Sequence, residues 1–245
     1  MIEKIEGIVV NERAYGETSK IINLVTKEYG LISLIAKGAK SLKSDLRTST
    51  TKLTYGYFHT NYKENKLSTL ISVDIIDNFK NIKKDINKIS YATFILDLTE
   101  QVIKQNNDSN ILKICIDALE KINEDYDSMI ITNILELKYL DYLGVMPIID
   151  SCAICGNKAG IATLSSETGG YVCKNCITNQ VIVNEKTIKI IRMFYYVDIS
   201  KISNLEISNE VKKEINNFID DYYDRYTGLY LKSKSFLKNL HKVIK

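Results

Sequence analysis

The 245-residue chain has a single proline and two histidines. The proline shortage goes with an abundance of Ile, Lys, Asn and Tyr. That profile fits the base-composition bias of an A/T-rich genome and points to no particular function. With only His59 and His241 available, a Ser-His-Asp site has no support, and there is no histidine-rich metal motif. No phosphate-cradling glycine loop and no G-x-S-x-G sequence occur. The Gly169-Gly170 pair reads as a turn, and Asp220-Asp221 as solvated surface. No apolar run approaches the roughly 20 residues needed to span a bilayer. The opening MIEKIEGIVV alternates charge with aliphatics and lacks the basic-then-apolar plan of a secretory signal, so the cytoplasm is the expected compartment.

What is present is ample material for packed cores: 45% hydrophobic and 26% charged residues, a balance that argues against disorder. The net charge of +3 neither demands nor excludes a nucleic-acid partner, so its distribution has to decide.

Up to about Asn78 the chain reads as β-rich. Apolar runs at 7–10, 21–25 and 31–36 are followed by a Tyr- and Thr-rich stretch over 53–62 with Gly56 as a bulge candidate. Leu67, Thr69, Ile71, Val73 and Ile75 then alternate with polar neighbours, the period of a half-buried strand. Five short strands with a long polar connection between the third and fourth predict an OB-type barrel. From Asn81 the period becomes helical. Ile111, Ile114, Cys115, Ala118, Leu119 and Ile122 form a stripe that Asp108 or Ser109 can cap. A helix over 128–143 stops at Gly144 and Pro147. Further helices are predicted over 187–197, after an N-cap at Ser208, and through Phe236, Leu237, Leu240 and Ile244. The reading is an α+β chain: a five-stranded barrel over residues 1–80, then a helical domain over 81–245 with a metal module at 150–180.

Four of the five cysteines form two pairs, Cys152-x-x-Cys155 and Cys173-x-x-Cys176. In a reducing compartment this spacing reads as a metal site and not as disulfides. Four thiolates close a tetrahedral zinc site, and Gly156 suits the tight turn after the first pair. Catalytic zinc keeps an open position, and four cysteines leave none. A nucleic-acid deaminase needs an upstream His-x-Glu, which His59-Thr60-Asn61 does not supply. One structural zinc per chain is therefore expected. Cys115, on a helical apolar stripe, reads as a small core residue.

Residues 37–52 carry Lys37, Lys40, Lys43, Arg47 and Lys52 against one acid, Asp45, a local charge of +4. Tyr55, Tyr57, Phe58 and Tyr62 follow. Cations for phosphates beside aromatics for bases make a single-strand binding surface. A solvated loop followed by barrel-core aromatics has the same composition. After Asp224 no acid occurs, while Arg225, Lys232, Lys234, Lys238, Lys242 and Lys245 do. Helical spacing puts Lys234, Lys238 and Lys242 in one row beside Leu237 and Leu240. This row is either a solvated face or a docking surface for an acidic peptide or a phosphate backbone.

The chain resembles the RecO family of bacterial recombination mediators. The resemblance lies in Gly7-Ile8-Val9-Val10, Arg13-Ala14-Tyr15-Gly16-Glu17, Thr26 with Tyr29-Gly30, and Ala36-Lys37-Gly38-Ala39-Lys40. It continues in Leu140 to Pro147 leading into Cys152, and in Lys232-Ser233-Lys234-Ser235-Phe236-Leu237. It implies an OB fold, a helical domain with a zinc module, and no catalytic site. It further implies binding of single- and double-stranded DNA, strand annealing, and work with RecR to help RecA load onto DNA coated by single-strand-binding protein. Some members bind the acidic tail of that protein. The resemblance favours the DNA-binding reading of residues 37–52. The competing expectations are a zinc-ribbon RNA-binding or transcription-associated module, and a nuclease, for which the β-rich half offers only scattered carboxylates.

Overall fold

A computed structural model of the chain describes residues 2–64, 66–203 and 205–243, with side chains as far as residue 239. Ile244 and Lys245 lie outside the described residues. There are two compact units, residues 1–125 with 231–245, and residues 126–230. These units do not follow the change of period near residue 80.

The first unit opens with five strands: β1 (Ile2–Tyr15), β2 (Ser19–Thr26), β3 (Gly30–Ala36), β4 (Tyr55–Asn61) and β5 (Ser68–Asp77). They form a closed barrel in the order β1-β2-β3-β5-β4. All pairings are antiparallel except β3 with β5, where Leu34 meets Ser68 and Ile35 meets Thr69. Closure is narrow, resting on the two-residue pairing of β3 with β5. The long β1 serves both β4 and β2 because it bends at a bulge between Val9 and Asn11. There Val10 has no partner in β2, and the Val9 amide and carbonyl bond the Thr54 carbonyl and the Leu53 amide just before β4. Such an extra residue sharpens the twist a small barrel needs. The β4–β5 ladder shifts register at Tyr55/Gly56 and again at His59/Thr60, and in both places the extra residue lies in β5, Ile76 and Ile71, so the bulge expected at Gly56 falls on the strand opposite it.

The barrel core consists of Val9, Ile22, Leu24, Leu34, Ala36, Ala39, Phe58 and Leu70. One of these, Ala39, belongs to the polar segment between β3 and β4. The short helix α1 (Leu46–Ser49) in the same segment packs Leu46 against that cluster.

Two longer helices follow, α2 (Ile86–Gln105) and α3 (Ser109–Asn123). Each starts at an aspartate that accepts backbone N–H groups: Asp85 from Asn87 and Lys88, and Asp108 from Asn110. Those bonds satisfy donors that the first helical turn leaves open. The terminal helix α7 (Lys232–Val243) returns to this unit and packs on α2.

The second unit holds α4 (Ser128–Tyr142), α5 (Glu185–Tyr196) and α6 (Asn209–Tyr226). Apolar and aromatic residues cover most of α4, and it is buried on nearly every side. Asp127, Asn184 and Ser208 cap the three helices. Glu214 of α6 accepts both the Asn184 amide and the Thr187 hydroxyl, tying α6 to the start of α5. The Tyr223 hydroxyl donates to the buried carbonyl of Glu136 at 2.8 Å. Between α4 and α5 lies a three-stranded sheet that sequence reading did not anticipate. Its strands are β6 (Ile148–Cys152), β7 (Ile161–Ser165) and β8 (Gly170–Cys173), ordered β6-β8-β7.

Candidate functional site

The β6–β8 sheet exists to present cysteines. Cys152 ends β6 and Cys173 ends β8, and both are buried. After Cys152 the chain turns back on itself, the Gly156 amide donating to the Cys152 carbonyl at 2.8 Å. Gly156 sits at φ +74, a conformation glycine adopts without steric cost. After Cys173 a tighter turn closes with the Cys176 amide on the Cys173 carbonyl at 2.9 Å. Gly170 lets β6 and β8 approach, since a Cβ there would stand 2.0 Å from the Ile148 carbonyl oxygen.

The result brings together all four cysteines expected from the spacing. Their sulfurs lie within 4.8 Å of one another. Four metal–sulfur bonds of about 2.3 Å in a tetrahedron put neighbouring sulfurs about 3.8 Å apart. Cys155 and Cys173 Sγ are separated by 3.7 Å, far beyond the roughly 2.05 Å of a disulfide. The electrostatics also suit a cation. Burial opposes ionisation of Cys152, but the amides of Cys173, Cys155 and Ile154 aimed at its sulfur outweigh it and lower the thiol to about 6. Cys176 is pushed up to about 12, first by hydrogen bonds to the neighbouring thiols and then by burial. Amides aimed at one sulfur favour its ionised form while the crowded neighbouring thiols oppose further ionisation, a conflict that a bound cation would relieve. The four cysteines can hold a metal and leave it no open protein position. Cys115 lies elsewhere, fully buried, its thiol raised to about 12 by burial, as suits a core residue.

The basic segment is a second, separate feature. Ala39 and Leu46 anchor it on the barrel core. The Lys40 amide bonds the Thr18 carbonyl at 2.8 Å, and its ammonium reaches the Gly16 carbonyl at 3.3 Å. Lys37, Lys40, Lys43 and Arg47 are exposed, and none is in an ion pair among the described residues. Lys52 differs: its ammonium is 3.1 Å from Asp97 of α2.

The aromatics of β4 are divided. Phe58 is in the core. The Tyr55 hydroxyl donates to Glu6 at 2.5 Å, and Lys4 sits 4.0 Å over the Tyr57 ring. Tyr62, just after β4, packs on Tyr29, with centroids 4.3 Å apart and ring planes tilted by 32°. Sequence reading missed Tyr29 as a partner because it lies in the β2–β3 turn, 33 positions earlier.

In α7, the Lys234 ammonium lies 5.4 Å from the Phe94 ring centre of α2, and Lys238 is exposed. The Lys242 side chain lies outside the described residues. No helix among the described residues is long and apolar enough to cross a membrane.

A closed five-stranded barrel with a pinned basic segment, together with a four-cysteine cluster among helices that could hold a metal ion, defines a barrel-plus-helical protein with a candidate metal module. The family described as "Recombination protein O N terminal" matches residues 1–79, and "Recombination protein O C terminal" matches residues 83–235. The DNA repair protein RecO of Listeria monocytogenes serotype 4b is 37% identical over 98% of this chain and 96% of its own length. The corresponding protein of Bacillus cytotoxicus is 33% identical over 99% of each chain, and that of Bacillus pumilus 32% identical over 100% and 97%. The chain belongs to the RecO family.

Proposed function

We propose that the chain is a DNA repair and recombination mediator that works without covalent chemistry, in the cytoplasm at the nucleoid. On this reading it binds single- and double-stranded DNA, anneals complementary strands and, with RecR, assists RecA loading. The observation that carries the reading is the row Lys37, Lys40, Lys43 and Arg47, held to the barrel by Ala39 and Leu46 and left without carboxylate partners among the described residues. Two strands repel through their phosphates, and a fixed cationic surface lowers that repulsion and concentrates them. Contacts to phosphate leave sequence unread, as a general repair factor requires. Lys52 flanks the row as a fifth, partly offset cation. The barrel, residues 1–80, is the nucleic-acid-binding domain, and residues 81–245 carry the metal module. The metal is one structural zinc on Cys152, Cys155, Cys173 and Cys176.

The helix bearing Lys234, Lys238 and Lys242 docks the acidic tail of single-strand-binding protein. Such a tether raises the local concentration of the protein that must be displaced. Charge reversal of the three lysines in the full chain should abolish binding of an acidic tail peptide. Equal affinity in both forms would remove this helix from the site. The function itself is tested by annealing of complementary labelled strands with and without RecR. Acceleration of DNA annealing is expected. A preference for structured RNA, or metal-dependent cleavage of the strands, would reject the reading.

A further inference from the structure

The four sulfurs of the metal module are not equally reachable. Cys152 and Cys173 are buried where β6 and β8 end, Cys176 is half-buried, and Cys155 is exposed. Cys155 lies in a turn whose residues 154–160 are all exposed, so solvent reaches its sulfur. The buried pair, by contrast, is held by the backbone. The Cys173 amide donates to Cys152 Sγ at 3.4 Å, the Cys152 amide to the Asn157 carbonyl at 2.8 Å, and the Ala153 amide to the Tyr171 carbonyl at 2.7 Å. Cys155 Sγ faces Cys173 Sγ across 3.7 Å. An exposed sulfur on a turn thus stands within reach of a buried one at a fixed strand end.

That arrangement meets the requirements of a thiol that senses oxidants: an accessible, ionised sulfur beside a second sulfur that can resolve it. A bound zinc ion keeps its thiol ligands ionised. Cys115 meets neither requirement. It is fully buried in α3 and lies outside the cluster, so an oxidant in water does not reach it.

We infer that Cys155 is an oxidation site for a peroxide, and that its disulfide with Cys173 opens the metal module. The inference rests on the zinc reading of the four cysteines. In the first step the Cys155 thiolate attacks one oxygen of hydrogen peroxide. The O–O bond breaks, a sulfenic acid forms on Cys155, and the leaving hydroxide takes a proton to become water. In the second step the Cys173 thiolate attacks the Cys155 sulfur. The S–S bond forms, and the sulfenic oxygen leaves as hydroxide and is protonated in turn. Two thiolates give up two electrons, and one peroxide becomes two waters. The two sulfurs close from 3.7 Å to about 2.05 Å. Two of the four metal ligands are then consumed, and the short strands lose the ion that orders them. A dithiol reductant with zinc reverses the change, and in a reducing compartment such a disulfide is transient.

The test treats the zinc-loaded full chain with hydrogen peroxide. A chromogenic chelator reads zinc release, and mass spectrometry after alkylation maps the disulfides. Loss of the zinc should accompany a single Cys155–Cys173 disulfide, with Cys115 still a free thiol. Dithiothreitol with added zinc should reverse both changes. Cys155→His keeps a side chain that zinc accepts but removes the oxidisable sulfur, and should slow zinc release by about tenfold. The same replacement at Cys176 should leave the rate near that of the wild type. Equal rates for Cys155→His and wild type, or a disulfide that omits Cys155, would overturn the proposal. So would zinc release with sulfinic acid formed and no disulfide. Should Cys155→His fail to hold zinc, the wild-type disulfide map decides alone. A chain that carries no zinc as purified would instead remove the zinc reading, and the oxidation switch with it.

Discussion

In the barrel, side chains from all five strands and from the β3–β4 segment meet in one buried cluster. In the ribbon, three strands of five, five and four residues share a sheet, with Ile149, Leu164, Tyr171 and Val172 as their buried apolar contribution. The barrel can be held by apolar burial alone. Its charged segment then costs little, because Ala39 and Leu46 anchor it and the cations stay in water. The ribbon is too small to bury an adequate core, and small modules of that kind need a staple. The same chain thus carries one region ordered by packing and another that, on the proposed zinc, is ordered by coordination. Only the first has a surface free for charge unrelated to its own stability.

Removing the metal should produce the largest effect and break the comparison at its weak side. Apparent zinc-binding free energies in small modules are about 10–16 kcal/mol, more than such a ribbon gains otherwise. Cys152→Ser, or a strong chelator, should bring amide hydrogen exchange in residues 151–178 close to the unprotected rate. The amides of Ile22, Leu34 and Phe58 should keep their protection. A chain that carries no metal as purified, or a ribbon equally protected without it, would contradict the coordination account.

The reciprocal change attacks the packing side. Phe58 is fully buried among strands of the barrel, and truncating such a ring costs about 3–5 kcal/mol. Phe58→Ala should lower the melting temperature of the barrel while the metal content per chain stays at one. Loss of metal together with the barrel would show that the two regions are not separately ordered.

A smaller effect on stability, and a large one on binding, is expected from replacing Lys37, Lys40, Lys43 and Arg47 with alanine. The anchors Ala39 and Leu46 remain, so thermal unfolding should barely move. Single-strand affinity should fall alike for unrelated sequences. The log–log salt slope should flatten by about 0.7 for each phosphate that is no longer neutralised. An unchanged slope would move the binding surface elsewhere, with the lysines of α7 the next to test.

These regions also differ in how far the sequence reveals them. The helices announce themselves: Asp108 and Ser208 stand at helix starts and cap them as their side-chain chemistry suggests. The thiolate cluster is legible because two C-x-x-C pairs have few other uses in a reducing compartment. Four of the strands are legible as apolar or Tyr/Thr-rich runs, and the fifth from alternation. The bend of β1 is not, because nothing in Gly7-Ile8-Val9-Val10 marks which residue leaves the ladder. The β6–β8 sheet stayed hidden because strands this short have no measurable period and depend on partners distant in sequence. Residues 37–52 read as a loop, since two apolar anchors among cations do not stand out until the barrel end they cover is known. Tyr29 and Tyr62 meet only through barrel closure.

The finest test concerns Lys52, the one cation of the segment that is held by a carboxylate among the described residues. Its ammonium and the Asp97 carboxylate are 33% and 31% exposed, 3.1 Å apart. A pair this open contributes about 0–1 kcal/mol, so breaking it should scarcely affect unfolding. Its influence on DNA should be more informative. Asp97→Asn keeps the shape of the side chain and removes its charge, releasing Lys52 to act as a fifth cation beside Lys37, Lys40, Lys43 and Arg47. Single-strand affinity should then rise slightly, and the salt slope should steepen by a fraction of the roughly 0.7 that one neutralised phosphate supplies. The gain should vanish in the Asp97→Asn, Lys52→Ala double variant, which separates an effect of Lys52 from a general loss of negative charge on α2. A gain that persists in the double variant would assign the effect to bulk charge. No gain in either would assign Lys52 to holding the segment on α2 and confine the binding row to the four cations that have no carboxylate partner among the described residues.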